Sequence, residues 1–259
     1  MKVLLSSVDD LRPALRLKEL IGSSRAARFK PGQHPLGAGF QALRKRLIGR
    51  SLLSLDEVQE LGALDFVSRA LFDREADWEP NKERLIGDLA KATECSAIIF
   101  ELQVIRFALE RRHGQATWQR YVEGAPDIAF SDPAMLIECK LVRTNELDKD
   151  TIFDEISAAR KQHKGIEGIP LVVAVGFERN LPREVSNFLQ KECHKRDAWF
   201  NQRPEVSGGL LFFPRDARTP VFEKLGQRRV SFMEGEVLEV VCHKALNPLK
   251  VGFSSLQER

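Results

Sequence analysis

Cysteine is scarce and scattered in this chain: Cys95, Cys139, Cys193 and Cys242 are its four, and no two of them form a C-x-x-C pair. That spacing suggests neither a structural zinc site nor a disulfide framework, and buried free thiols are the default expectation. Long apolar runs are also missing. Nothing approaches the roughly 18 residues needed to cross a bilayer, and Met1 to Ser7 is too short for a secretory signal, so the cytoplasm is the expected compartment and no membrane the expected partner. No repeat or low-complexity tract is present. What remains is 259 residues at 43% hydrophobic content, enough for one large α/β domain or a core with an appended subdomain.

The informative stretch runs from Ala125 to Lys140 and reads APDIAFSDPAMLIECK. Ile128-Ala129-Phe130 and Met135-Leu136-Ile137 have strand character, and Ser131-Asp132-Pro133-Ala134 supplies turn residues between them, so a hairpin is expected. With the turn centred between Asp132 and Pro133, cross-strand partners sum to 265 and Asp127 lies opposite Glu138. Directly opposed residues have Cβ atoms roughly 4.5–5.5 Å apart, where two like charges repel unless something cationic sits between them. Strand periodicity puts Glu138 and Lys140 on one face and Ile137, Cys139 and Leu141 on the other.

A third acid lies upstream. Residues Ser96 to His113 read as a helix stopped by Gly114, with Arg111, Arg112 and His113 in its last turn. At about 100° per residue, Gln103, Arg106 and Glu110 share the polar face, and Ile98, Leu102, Ile105 and Leu109 the buried one. Glu101 falls opposite the polar face, where a carboxylate is costly unless it is paired or bound to metal. An arginine from another helix is the competing partner for it.

These residues together resemble the PD-(D/E)xK nuclease superfamily. Its pattern is an acid-bearing helix, a strand with Pro-Asp at its end, a strand carrying Glu-x-Lys, and a following helix with Gln or Lys near the site. Here the parts are Glu101, Pro126-Asp127, Glu138-Cys139-Lys140, and Gln162 or Lys161, and the resemblance spans about Ser96 to Phe177. Pro-Asp, Glu-x-Lys and a polar helix end are each commonplace alone, so the conjunction and its order carry the signal. The resemblance implies an α/β restriction-endonuclease-like core with a central mixed β-sheet flanked by helices. It further implies a Mg²⁺-dependent nuclease, with Mn²⁺ able to substitute. Asp127, Glu138, the backbone carbonyl of Cys139 and Glu101 would be the ligands. Carboxylates suit Mg²⁺, which keeps several waters and is usually held by one or two protein acids plus substrate phosphate. No His or Cys cluster competes. Lys140 would orient or deprotonate water and offset charge growing on the phosphate, with Gln162 or Lys161 helping to position the reactants.

Charge is unevenly placed. Residues 1–50 hold 11 Lys/Arg against 3 Asp/Glu, a net of +8, which leaves −5 for the rest of a chain of net charge +3. Arg25, Arg28 and Lys30, then Arg44, Lys45, Arg46 and Arg50, flank a Pro/Gly-rich loop and are candidate phosphate contacts; a solvated basic surface is the alternative. Ser54-Leu55-Asp56-Glu57 matches a capping box opening a helix to about Phe72, and a second short helix is expected over Asn81 to Lys91. Residues 1–92 thus read as a mainly helical, basic region beside a catalytic domain over 93–259. Leu171 to Phe177 reads as a core strand, 181–192 as a helix, and 209–213 and 237–243 as strands extending the sheet. Arg215, Arg218, Arg228 and Arg229 fall in loops as further candidate contacts. Trp118 and Tyr121 suit core packing ahead of base stacking. The expected substrate is DNA ahead of RNA, cut endonucleolytically in a restriction, defence, repair or mobile-element setting, and a homodimer is admitted. The alternatives are an RNA or tRNA nuclease of the same fold and a catalytically silent nucleic-acid-binding protein.

Overall fold

A computed structural model describes residues 2–4, 11–49, 52–72, 78–110, 115–131, 134–142, 149–163, 169, 171–177, 208–213, 221–222, 230–231 and 236–242. In chain order the elements are β1 (Lys2–Leu4), α1 (Arg12–Ile21), α2 (Ser23–Ala26), α3 (Gly37–Leu47), β2 (Leu52–Ser54), α4 (Leu55–Phe72), α5 (Lys82–Leu89) and α6 (Ala92–Glu110). There follow β3 (Ala116–Trp118), β4 (Ile128–Ser131), β5 (Ala134–Val142), α7 (Lys149–Gln162), β6 (Leu171–Phe177), β7 (Gly208–Phe213), β8 (Val221–Phe222), β9 (Val230–Ser231) and β10 (Glu236–Cys242). They form two compact units, Met1–Leu102 with Asp216–Glu234, and Gln103–Arg215 with Gly235–Arg259. The boundary drawn from sequence, at residue 92, falls where α6 begins. Among the described residues no helix is long and apolar enough to cross a membrane.

The first unit is helical, with two small antiparallel pairs, β1 with β2 and β8 with β9. Several of its basic residues lie on packed helices, Arg12, Arg16 and Lys18 on α1 and Arg44, Lys45 and Arg46 on α3; α1 has Pro13 in its first turn, where a missing N–H costs nothing, and Leu17, Leu36 and Leu43 are fully buried. The capping box forms as its spacing requires. Glu57 N–H donates to Ser54 Oγ at 3.2 Å, Glu57 Oε2 accepts from Ser54 N–H at 2.9 Å, and α4 begins there. Hydrogen bonding and apolar spacing are satisfied together, and Leu61, Leu64 and Leu71 of α4 enter the core beside α1 and α3. The loop between α2 and α3 is tied down by His34, whose Nε2 lies 3.0 Å from Leu89 O while its Nδ1 accepts from Leu36 N–H at 3.2 Å. Those two bonds define a neutral ring, and burial holds its pKa below the usual histidine range.

The second unit is a mixed α/β structure around one mixed sheet of order β10-β7-β6-β5-β4-β3. β5 is its hinge in topology, antiparallel to β4 and parallel to β6. The β4–β5 hairpin pairs Ile128 with Ile137, Ala129 with Leu136 and Phe130 with Met135, the register summing to 265. A two-residue turn can join antiparallel strands, whereas parallel strands need a crossover, and α7 supplies it, packing on β5 and β6. β6 is a continuous apolar run, and Val172, Val173 and Val175 have no exposed surface, as expected of a strand covered on both faces. β7 and β10 extend the sheet beyond β6. The helix expected over 181–192 and the loop arginines Arg215, Arg218, Arg228 and Arg229 lie outside the described residues. α6 starts four residues before the expected Ser96, because Cys95 N–H donates to Lys91 O at 2.8 Å and Ala92-Thr93-Glu94 joins the first turn.

Two helical glycines predict opposite responses to the same change. A Cβ on Gly39 of α3 would sit 2.5 Å from Glu60 O and 2.8 Å from Leu64 Cγ, whereas one on Gly87 of α5 would meet nothing within 4 Å. Gly39→Ala should therefore destabilise by about 1–3 kcal/mol through overpacking, and Gly87→Ala should stabilise by roughly 0.5–1 kcal/mol through helix propensity. Thermal and urea melts of the two variants check both signs.

Candidate functional site

The chain between β3 and β4 is a tight loop that delivers Asp127 in a fixed pose. Val122 N–H donates to Gln119 O at 2.8 Å, Gly124 adopts a positive φ of 74°, and Gln119 N–H donates to Asp127 O at 2.7 Å. β4 pairs with β5 only as far as Ile128 with Ile137. One step further the Asp127 side chain meets β5: Cys139 N–H donates to Asp127 Oδ2 at 2.7 Å. That main-chain N–H thus orients the first acid.

Glu138 lies on the next position of β5 and is only 3% exposed. Such a carboxylate must be paired. Its Oε1 accepts from Lys140 Nζ at 2.7 Å, and its Oε2 lies 2.8 Å from His163 Nε2. Lys140 is two residues along β5, on the same face, and its Nζ also donates to Gln162 Oε1 at 3.1 Å. Gln162 and His163 are consecutive at the end of α7. The helix end therefore reaches the Glu138–Lys140 pair with two side chains.

Burial first, and then the neighbouring Glu138 charge, push the Asp127 carboxyl up to about 6, against the opposing effects of the Cys139 N–H and of the Lys140 and Arg120 charges. Among the described residues no ion pair reaches Asp127, whose direct partner is a neutral amide, so the two acids are unequally compensated.

Of the residues expected from sequence, this unit brings together Asp127, Glu138, Cys139, Lys140 and Gln162. Lys161 is exposed on α7. Glu101 belongs to the first unit, on α6, where it is 3% exposed. Arg25, Arg28, Arg44, Lys45 and Arg46 also lie in the first unit; the first three are exposed, and Lys45 pairs with Glu57, the residue that caps α4. Trp118 is 6% exposed, with its ring 6.0 Å from that of Tyr121, a core role. Among the described residues no group of three or more His, Cys, Asp and Glu side chains is arranged to hold a metal ion. His163 was not anticipated. Its signal was spacing: Ile152, Ile156, Ala159 and His163 recur at helical intervals, which sets the histidine on the apolar stripe of α7 rather than on its polar end. Comparison with protein-family models, with curated proteins and with solved structures finds no match.

The raised Asp127 pKa has a signed consequence. An aspartate that titrates near 3.8 when unfolded and about 6 when folded keeps its proton longer in the native state. Its contribution to stability therefore falls as pH rises from about 4 to about 6, by up to about 3 kcal/mol, and stays lost above that. Asp127→Asn can still accept the Cys139 N–H and carries no charge. Its stability relative to wild type should grow across that window, as read from urea melts at pH 4.5 and pH 7. Parallel pH profiles for the two proteins would show that Asp127 does not titrate near 6.

Proposed function

We propose that this protein is a metal-dependent nuclease on a restriction-endonuclease-like core, hydrolysing phosphodiester bonds in DNA. The observation that supports it most is the meeting of Asp127, Glu138 and Lys140 where β4 parts from β5, with the Asp127 pKa raised by burial and then by the Glu138 charge, and Asp127 lacking an ionic partner among the described residues. The order of hairpin, crossover helix and parallel strand agrees with the resemblance that the sequence carries.

The donor set fits Mg²⁺. Two hard carboxylates are enough for an ion that retains waters and takes its other ligands from a phosphate, and their mutual repulsion is what a cation would relieve. Asp127 and Glu138 would hold it, with the Cys139 carbonyl as the further ligand of this unit that the family pattern implies. Such an ion, when bound, supplies Lewis-acid activation of the phosphate and of water. The chain's own residues do the rest. Asp127 is held rigid by bonds at both its main chain and its side chain. Lys140 brings an ammonium to the acids, where it can orient water and offset charge that develops on the phosphate. Gln162, hydrogen-bonded to Lys140, keeps that ammonium on the site.

A second reading draws on Glu138, whose two oxygens already have Lys140 and His163: a purely structural ionic cluster in a silent binding protein. Incubating the purified chain with plasmid, linear duplex, single-stranded DNA and RNA, with Mg²⁺ or Mn²⁺ and with chelator, separates the readings. Cleavage should require the ion, and Asp127→Ala, Glu138→Ala and Lys140→Ala should each lower it at least about a hundredfold. Near-normal cutting by the Glu138 variant would remove the mechanism, preference for RNA would move the substrate class, and binding without cutting would favour the structural cluster.

The exposed arginines of the first unit offer an independent measurement. If Arg25, Arg28 and Arg44 contact phosphates, replacing all three by Gln should weaken DNA affinity and reduce the slope of log K against log salt by about 0.9 per lost contact. An unchanged slope would assign them to the solvated surface.

A further inference from the structure

We propose that His163 is a positioning residue that fixes the Glu138 carboxylate in its metal-binding orientation, an inference resting on the nuclease reading above. The torsion that turns a glutamate carboxylate is broad, so a single contact leaves the group free to rotate. Lys140 provides one contact at Oε1 from within β5, and His163 provides the second at Oε2 from the end of α7. Contacts from two different elements define the carboxylate plane, which neither defines alone. Neutralising the buried charge does not require the ring, since Lys140 already brings an ammonium to 2.7 Å. What the ring adds is direction.

The surroundings of His163 are built for that. Its side chain has no exposed surface. A carboxylate oxygen accepts, so Nε2 carries the proton. Among the described residues Nδ1 is buried with no hydrogen-bond partner, so the ring is held at one polar end, by Glu138, and otherwise by packing. Ala159, one turn back on α7, is fully buried, and His163 N–H continues the helix by donating to Ala159 O at 3.2 Å. The ring is therefore enclosed, on a main chain held by the helix. Partners that hydrogen-bond a metal-ligating carboxylate orient it for the ion, and their loss usually weakens metal affinity 10- to 100-fold.

The test is a Mn²⁺ titration of the full chain by calorimetry or electron paramagnetic resonance, with melting temperature measured on each protein. His163→Gln keeps an N–H near the Nε2 position. His163→Ala removes it, and His163→Asn carries an amide too short to reach Oε2, serving where the alanine variant does not fold. Wild type and His163→Gln should bind Mn²⁺ within a few-fold of each other, and the Ala and Asn variants about 10- to 100-fold more weakly while remaining folded. Equal binding by all folded variants overturns the positioning role, as does a Gln variant as weak as the others, which would assign the loss to ring packing. A wild type that binds no Mn²⁺ overturns the nuclease reading itself, and this inference with it.

Discussion

The constraint on which the rest of the second unit depends is a carboxylate inside a sheet. Glu138 sits on β5 between an antiparallel and a parallel neighbour, 3% exposed. Desolvating one charge costs several kcal/mol unless it is matched by ions and hydrogen bonds. β5 meets part of that demand with its own periodicity, because Lys140 shares a face with Glu138. A strand alone cannot meet the rest, since the next same-face residues lie too far along it. The second oxygen is served from α7, so the end of that helix is specified by the acid as much as by apolar packing.

Asp127 has the opposite problem. Its pose is fixed by neutral groups, Gln119 N–H at its main chain and Cys139 N–H at its side chain, and the charges that favour its ionised form are those of Lys140 and Arg120, which do not offset its burial and the Glu138 charge. The difference follows from topology. β4 stops pairing at Ile128, and the next outward donor of β5, Cys139 N–H, is met by an aspartate short enough to reach it from the adjoining loop. Pro126, buried just before it, has no N–H to leave unsatisfied there.

How much of this was legible in the sequence depends on how local each interaction is. The hairpin register was, because turn residues and flanking apolar triplets fix where Ile128 meets Ile137. So was β6, whose apolar run admits little but a covered strand, and so was the α4 cap, whose reciprocal bonds span three residues. The short strands β1, β2, β8 and β9 were not. Two or three residues carry no measurable period, and their pairing is decided by tertiary contacts. The packed helices of the first fifty residues were obscured by their charge: arginines and lysines at helix surfaces dominate the sequence pattern there, and the burial of Leu17, Leu36 and Leu43 is decided by tertiary packing. His163 was hidden for a different reason. Its role is set by a partner 25 residues away, and a histidine ending a polar helix ordinarily faces solvent or the helix dipole.

The unequal compensation of the two acids bears on how such a site keeps both fold and reactivity. If Lys140 and His163 neutralised both carboxylates, the cluster would be stable without an ion and would gain little from one. If they neutralised neither, two unpaired buried acids would weigh on the native state at neutral pH. The arrangement lies between these limits: Glu138 is anchored by two partners, and Asp127 retains the unrelieved charge. On the nuclease reading, an arriving cation meets an acid already aimed by the Cys139 amide and a second whose plane is set from β5 and α7. Little side-chain ordering is then left to be done on binding. The cost of that order is carried by the fold, in a buried ion cluster and in an aspartate whose ionised form is disfavoured.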